Sequence, residues 1–308
     1  MRSWTFSSSQ PSRLLIPACI VLGLGSFVAC GGGGDSSGDD GTAGLSKEGP
    51  AVNFAQLVPK QGSVVVTKME LKGDIAIRAQ LEGQEMTGSV KTVGSTVEEA
   101  TFVRVTDGKA AEILLKSVEE KQSTTSNMMG QVSTEEEDGA FVGRELREVK
   151  GPNGWEVQLV GAPATLEQQA ELSSWEFYVD GYSEIYPDRT MKVGDTWNVE
   201  GEEALAIFGN DQDMESASLA ILFAGYQSCD SGQCAVLTGE MKMSGSINEG
   251  LPMQLSFGGK FKSVVDPVSG VSPLTSLKGE MSMEGSMGPG AQLKGSGPMN
   301  MIMTQSLR

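Results

Sequence analysis

The chain has 308 residues with 23 basic and 40 acidic side chains, a net charge of −17, and no histidine. Such acidity argues against nucleic acid as a partner and against binding anionic lipid by charge alone. The lack of histidine excludes Ser-His-Asp and Cys-His catalysis and most zinc sites, so no metal is expected. There is no P-loop and no G-x-G-x-x-G motif, so no nucleotide cofactor is expected either. Carboxylates remain as candidate catalytic groups, but no pair stands out.

The first residues have the form of an export signal. Arginines precede an apolar run at residues 14–29, which is shorter than the roughly 20 residues that cross a bilayer. The run ends in FVAC at residues 27–30, which resembles the lipobox of bacterial lipoproteins. This resemblance implies cleavage before Cys30 and attachment of lipid to that residue, with ordinary secretion as the alternative. By resemblance to sorting in Gram-negative bacteria, Gly31 favours the outer membrane over the inner one.

The composition divides the chain into three parts. Residues 1–29 are predicted to be the signal peptide. Residues 30–50 combine the lipidated cysteine with a segment of Gly, Ser and Asp that is typical of a flexible tether. Residues 51–308 form the β-rich body, expected to be one continuous domain. The lipid would then be the protein's contact with the membrane.

Two cysteines remain in the body, at Cys229 and Cys234. Apolar runs flank the four residues between them, which predicts a hairpin with the cysteines facing each other across it. Disulfides persist in exported proteins, so we expect a structural disulfide. A redox or metal pair is the alternative, but the spacing is C-x4-C rather than C-x-x-C.

Short runs rich in β-branched residues recur through the first half of the body. The predicted strands cover residues 64–71, 75–81, 86–93, 101–105, 111–119, 144–150 and 155–160. Turn signals stand between some of them, TDGK at residues 106–109 and GPNG at residues 151–154. These pairs are therefore expected to form antiparallel hairpins.

One principal helix is predicted after Thr165. Thr165 and Gln168 have the spacing of a capping box, in which each residue satisfies a backbone N–H of the other. Leu166 and Ala170 would lie on the apolar face of this helix, which should end by residues 180–181. A second, short helix is predicted at residues 202–208.

Methionine recurs at alternate positions in the last third of the chain, in GEMKMSGSI (239–247), GEMSMEGSM (279–287) and GPMNMIMTQ (297–305). A period of two predicts strands with one apolar face, so residues 215–308 should form an antiparallel meander. The methionines predicted to share that face are Met241, Met243, Met281, Met283, Met299, Met301 and Met303. The whole body is thus predicted to be mainly antiparallel β, a twisted or half-barrel sheet with one principal α-helix.

Three interpretations of the methionine face compete. Methionine can fill an ordinary core, because its flexible side chain adapts to irregular gaps. The same flexibility suits a cavity for lipid or another apolar ligand. Thioethers also select Cu(I), although copper sites often include histidine, which is absent.

Residues 186–197 carry a further resemblance. The segment begins YPDR and ends MKVGDTW, from Met191 to Trp197. It resembles a family of bacterial lipoproteins of unknown activity, in which a proline-led segment ends in V-x-V-G-D-[ST]-W. In physical terms, Gly194 and Asp195 predict a turn, after which Trp197 enters the core as a strand begins. The resemblance implies no activity.

The leading functional expectation is a non-enzymatic envelope protein that binds a partner protein or an apolar ligand. A hydrolase that uses two carboxylates is the alternative from another class, and its cleft would hold them about 5–10 Å apart. Binding of Cu(I) through the Met-x-Met strands is a further alternative.

Overall fold

The alternation of apolar and polar residues produces one antiparallel sheet. The computed structural model describes residues 44–81, 84–152, 154–173, 175, 185–207, 214–247, 252–288 and 291–308. The strands in these residues are β1 Val64–Leu81, β2 Gln84–Thr106, β3 Lys109–Met128, β4 Gln131–Asp138, β5 Glu145–Gly151, β6 Gly154–Val160, β7 Thr196–Glu200, β8 Met214–Cys229, β9 Gly232–Ile247, β10 Met253–Val265, β11 Leu274–Gly288 and β12 Ala291–Leu307. The described helices are α1 Leu166–Ser173, α2 Glu202–Ile207 and a 3-10 turn at Phe54–Gln56. The predicted fold class is confirmed.

The strand order joins the two ends of the body in the middle of the sheet. The order is β6-β5-β3-β2-β1-β12-β11-β10-β9-β8-β7, with β4 paired to β3 beside this path. Strands β1 and β12 pair along most of their length, so that Met69 lies opposite Met303. The sheet is open and twisted. Two meanders, one from each half of the body, are therefore fused through the pairing of β1 with β12.

The strands are longer than the sequence predicted. The predicted break between residues 71 and 75 is wrong, because β1 continues through Gly73, which pairs with Thr92 on one side and Met299 on the other. Two predicted strands likewise merge into β2. Pairing on both sides keeps the backbone in the ladder where a glycine alone would favour a turn. Strand β4 was not predicted, because its side chains lack the alternation on which such predictions depend.

Each strand of the central sheet has a buried and an exposed face. On β1, Leu71 and Ile75 are buried, whereas Lys72 and Asp74 between them are exposed. We call the buried side the inner face. It comprises odd-numbered residues of β1 and of β9 to β12, and even-numbered residues of β2. This confirms the prediction of a meander with one polar and one methionine-rich face.

Helix α1 begins as predicted but buries a different residue. The Thr165 N–H donates to Gln168 Oε1 at 3.0 Å, and the Gln168 N–H donates to Thr165 Oγ1 at 3.2 Å. The predicted apolar face is wrong, since Leu166 is 86% exposed and Gln168 is the buried residue. Gln168 turns inward because its amide donates to the Ala140 carbonyl at 2.7 Å. The predicted end at residues 180–181 lies outside the described residues.

The predicted hairpins form. Strands β2 and β3 are joined at Asp107 and Gly108, both with positive φ, which is the backbone that such tight turns require. Strands β5 and β6 pair up to Gly151 opposite Gly154. The short helix predicted at residues 202–208 is confirmed as α2.

The Cys229–Cys234 disulfide is present, with a Cα–Cα separation of 5.8 Å. The expectation that the cysteines lie directly opposite each other is wrong, because the two strands pair in a different register. Cys229 lies opposite Gly232, and Cys234 lies opposite Gln227, so the disulfide crosses the hairpin diagonally. The ladder continues past the cysteines and leaves a shorter turn than the sequence suggested.

The turn before β7 and the packing of the tryptophan after it form as the sequence predicted. Gly194 has φ +94°, and the Asp195 carboxylate accepts the Lys192 N–H at 2.9 Å, which closes the turn. Trp197 then packs against the core and donates its indole N–H to the Ile185 carbonyl at 2.8 Å.

The end of the predicted tether contacts the body. Ser46 forms a β-bridge with Tyr226, and the Tyr226 hydroxyl donates to the Pro50 carbonyl. Cys30 and the predicted signal peptide lie outside the described residues. Within the described residues, no helix has both the length and the apolar character needed to cross a membrane.

Candidate functional site

The sheet brings the predicted methionines onto one surface. All seven lie on the inner face and are between 1% and 5% exposed. They belong to one apolar cluster with residues of β1, β7 and β8. We call these seven residues, Met241, Met243, Met281, Met283, Met299, Met301 and Met303, the methionine face.

Glycines of the inner face are covered by neighbouring side chains that lie flat on the backbone. A Cβ placed on Gly279 would stand 2.5 Å from Phe257 Cζ, and one on Gly259 would stand 2.7 Å from the same atom. Likewise, a Cβ on Gly295 would stand 2.8 Å from Met283 Cγ. The large side chains therefore cover the sheet as a thin layer, because the glycines leave room for them at backbone level.

One part of the inner face is open. Gly73 lies between buried Leu71 and Ile75, yet a Cβ placed on Gly73 would meet no atom of the described residues within 4 Å, its two chain neighbours aside. On the neighbouring strand, a Cβ on Gly94 would meet its nearest atom, Leu71 Cβ, at 3.6 Å. That distance is ordinary van der Waals contact, so the space at Gly94 is filled, and we call the space above Gly73 alone the Gly73 recess. Sequence reasoning missed it because a glycine within a strand does not show whether side chains of other strands fill the space above it.

The described elements outside the sheet cover mainly one end of it. Phe54 packs against Tyr186 and Phe223, with ring centroids 5.5 and 5.2 Å apart. Helix α2 packs on β7 and β8. Among the described elements, neither helix packs extensively on β1 or on β10 to β12. The Gly73 recess therefore lies beyond the layer that these described elements form. The seven methionines are nevertheless covered, since none is more than 5% exposed.

The inner face changes character from β1 to β3. On β2 it carries Thr92, Thr96 and Glu98, and these lie opposite Thr124, Glu120 and Ser117 of β3. The row of Thr92 continues through Gly73 of β1 to Met299 of β12. The row of Thr96 continues through Met69 of β1 to Met303 of β12. A polar, acidic half thus adjoins an apolar half, and the Gly73 recess lies along their boundary.

Two carboxyl groups lie close together in the polar half. Burial raises the pKa of Glu98 to about 7, and the negative charge of Glu120 adds to this shift. Burial also raises the pKa of Glu120, with a further contribution from the charge of Glu171 in α1. Among the described residues, no ion pair with Lys or Arg involves Glu98 or Glu120. Sequence reasoning could not single out this pair among so many acidic residues.

The raised pKa of Glu98 makes stability depend on pH. The folded protein holds a proton on Glu98 up to about pH 7, whereas the unfolded chain releases it near 4.5. The tighter binding of this proton in the folded state stabilises the protein. This contribution to the free energy of unfolding is fully present below pH 4.5 and is lost as the pH rises through 7. The loss should be on the order of 2 kcal/mol. We expect Glu98→Gln to be the more stable protein at pH 8 and to match the wild type at pH 4.5, as measured by urea unfolding.

Glu280→Gln is the matched control for this pH effect, because Glu280 is exposed on the opposite face. Its stability should follow the wild-type pH dependence. Parallel pH curves for Glu98→Gln and the wild type would show that Glu98 is not held in its neutral form by the fold.

Within the described residues, no cluster of three or more Cys, Asp or Glu side chains is placed to hold a metal ion. The Cu(I) alternative depends on thioethers and remains a prediction. The fold and the site together define an antiparallel open-sheet protein whose inner face is apolar on one side and acidic on the other.

Comparisons with known proteins add little to this definition. No family model matches the chain, and no curated protein matches it. A solved structure titled "Lipid-protein interactions in lipovitellin" is 10% identical with a TM-score of 0.39, covering 82% of this chain and 26% of that one. The chain thus spans about a quarter of that chain's length. A DUF1329 family protein from Desulfovibrio piger is 10% identical with a TM-score of 0.15, covering 83% of this chain and 88% of that one. Both scores lie below 0.5, so neither likeness carries an argument.

Proposed function

We propose that the protein is a lipid-anchored protein of the bacterial envelope that binds an apolar ligand on its inner face and catalyses no reaction. The observation that carries the proposal is the Gly73 recess. Protein interiors are close-packed, so open space above a strand glycine flanked by buried Leu71 and Ile75 is unusual for a core. A space with such neighbours favours an apolar guest over water.

The methionine face supports the same proposal. Methionine has an unbranched and polarisable side chain that adapts to ligands of different shapes. Met299 and Met301 pair with Gly73 and Leu71 across β1 and β12, so they border the recess directly. A ligand lying in the recess would contact thioethers on one side and threonine side chains on the other.

The proposed location depends on the lipobox at residues 27–30. Lipid on Cys30 would tie the body to a membrane, with the outer membrane favoured by Gly31. Since residue 46 already contacts the body, the free tether between lipid and body would be shorter than residues 30–50. The ligand face would then remain close to the membrane surface.

The acidic pair favours a second candidate function. A carboxyl group with a pKa of about 7 beside another carboxylate is the arrangement that general acid–base hydrolysis uses. In that case Glu98 would act as the acid and Glu120 as the base. Release of product from chromogenic glycosides by the purified chain, and its loss in Glu120→Gln, would support this candidate over the binding protein.

The proposal is tested by native mass spectrometry of the chain purified gently from the envelope of its own cells. We expect a discrete additional mass, of the size of a lipid, that is lost on collisional activation. The remaining polypeptide should begin at Cys30 and carry acyl chains. A polypeptide that never carries an additional mass would contradict ligand binding, and an uncleaved or unacylated N-terminus would contradict the anchor.

A further inference from the structure

We propose that the ligand is an amphiphile whose cationic head group is held by Glu98 and Glu120 while its apolar chain lies in the Gly73 recess, against Met299. This inference rests on the proposed function and specifies the chemical class of the ligand. It follows from the arrangement of side chains across β3, β2, β1 and β12.

The rows of the inner face connect the acidic pair to the methionines. Glu120 lies opposite Thr96, Thr96 lies opposite Met69, and Met69 lies opposite Met303. Neighbouring strands are about 4.8 Å apart, so a carboxylate on β3 and a methionine on β12 are separated by about 14 Å. A head group and the first part of an alkyl chain span such a distance. The inner face thus has a polar end at the acidic pair and an apolar end on β1 and β12, the strands that border the Gly73 recess.

Ser117 provides independent evidence for a polar group at this place. It is 9% exposed and lies opposite Glu98 on the inner face. Its hydroxyl oxygen is buried and has no hydrogen-bond partner among the residues that the structure describes. Burying a polar group without a partner is costly, so such groups are rare unless something else completes them. The head group of a ligand beside Glu98 would supply the missing partner.

The sign of the charge follows from the surroundings. The negative charge of Glu120 disfavours ionisation of Glu98, and the negative charge of Glu171 disfavours ionisation of Glu120. In the described part of the chain, no basic side chain forms an ion pair with Glu98 or Glu120. A bound cation would relieve this repulsion, and an ammonium group can donate hydrogen bonds to carboxylate oxygens. An anionic head group would add to the repulsion and is disfavoured.

The test compares two probes with the same alkyl chain, the dodecylammonium cation, whose head group carries N–H donors, and the uncharged dodecyl maltoside. Each is titrated below its critical micelle concentration, at 0.15 M salt, into the full chain held in phosphatidylcholine nanodiscs, and bound probe is counted by native mass spectrometry. We expect the cation to reach half-saturation at a concentration about tenfold lower than the uncharged probe. In the double variant Glu98→Gln/Glu120→Gln, half-saturation by the cation should need about tenfold more probe, with no change for dodecyl maltoside.

The matched control is Glu240→Gln/Glu280→Gln, which removes the same charge from exposed positions on the opposite face. It should bind both probes as the wild type does. An equal shift in the control would assign the cation preference to the net charge of −17 and overturn the proposal. Equal binding of the two probes would overturn the head-group inference but leave the proposed function intact. Binding of neither probe would overturn both.

Discussion

Replacing Gly73 by leucine should abolish binding of an apolar ligand while leaving the protein folded. Among the described residues, apart from its chain neighbours, nothing lies within 4 Å of a Cβ at this position, so we expect the leucine side chain to extend into the Gly73 recess. Glycine within a strand lowers stability, so the substitution should leave the free energy of unfolding unchanged or raise it. The measurement is the fraction of chain that carries the additional mass in native mass spectrometry, which should fall at least tenfold.

Gly258→Leu is the control for this prediction. Gly258 is also a strand glycine with nothing within 4 Å of its Cβ, but it lies on the exposed side of β10. The control should retain the ligand. If Gly73→Leu retained it as well, the ligand would lie elsewhere, and the Gly73 recess would be only a packing defect.

Replacing Gly279 by alanine should destabilise the protein by about 3 kcal/mol, near the upper end of the cost of overpacking. The new Cβ would stand 2.5 Å from both Phe257 Cζ and the Gly258 carbonyl oxygen, and 2.7 Å from Gly259 Cα. Two of these neighbours are backbone atoms of the paired strand β10, so they cannot move aside by a side-chain rotation. The measurement is the midpoint of urea unfolding, interpreted at constant m-value.

Gly73→Ala is the matched control, because Gly73 lies in the same row of the inner face, with Met299 between it and Gly279. Its Cβ would meet nothing within 4 Å, so alanine should leave stability unchanged or raise it by a few tenths of a kcal/mol. Opposite signs for the two substitutions would confirm that Phe257 lies on the glycine backbone. A small effect at both positions would contradict that packing.

Much of the fold could be predicted because its signals are local. The alternation in residues 239–247 and 279–287 correctly assigned each methionine to one face, since side chains alternate along any strand. The capping box at Thr165 and Gln168 correctly set the start of α1. The burial of Leu166 was predicted wrongly, because a helical pattern does not show which side the rest of the chain will cover.

The candidate site could be predicted only in part. The methionine face followed from the sequence, but the neighbours that give it a polar boundary did not. Glu98 stands out only because β3 places Ser117 and Glu120 beside it on the same face. Gly73 stands out only because its partners, Thr92 and Met299, leave the space above it open. Neither property can be inferred from the residues next to them in the chain.

The sequence by itself determined the antiparallel β class, the methionine face and the cysteine pair, and it predicts an export signal. Each of these depends on residue spacing within a short stretch. Only the tertiary structure decided that β1 pairs with β12, that the Gly73 recess is open, and that Glu98 and Glu120 are neighbours at its edge. These facts depend on the register between strands such as β1 and β12, which lie at opposite ends of the body. Such a register is fixed by the packing of the whole sheet and not by any local pattern.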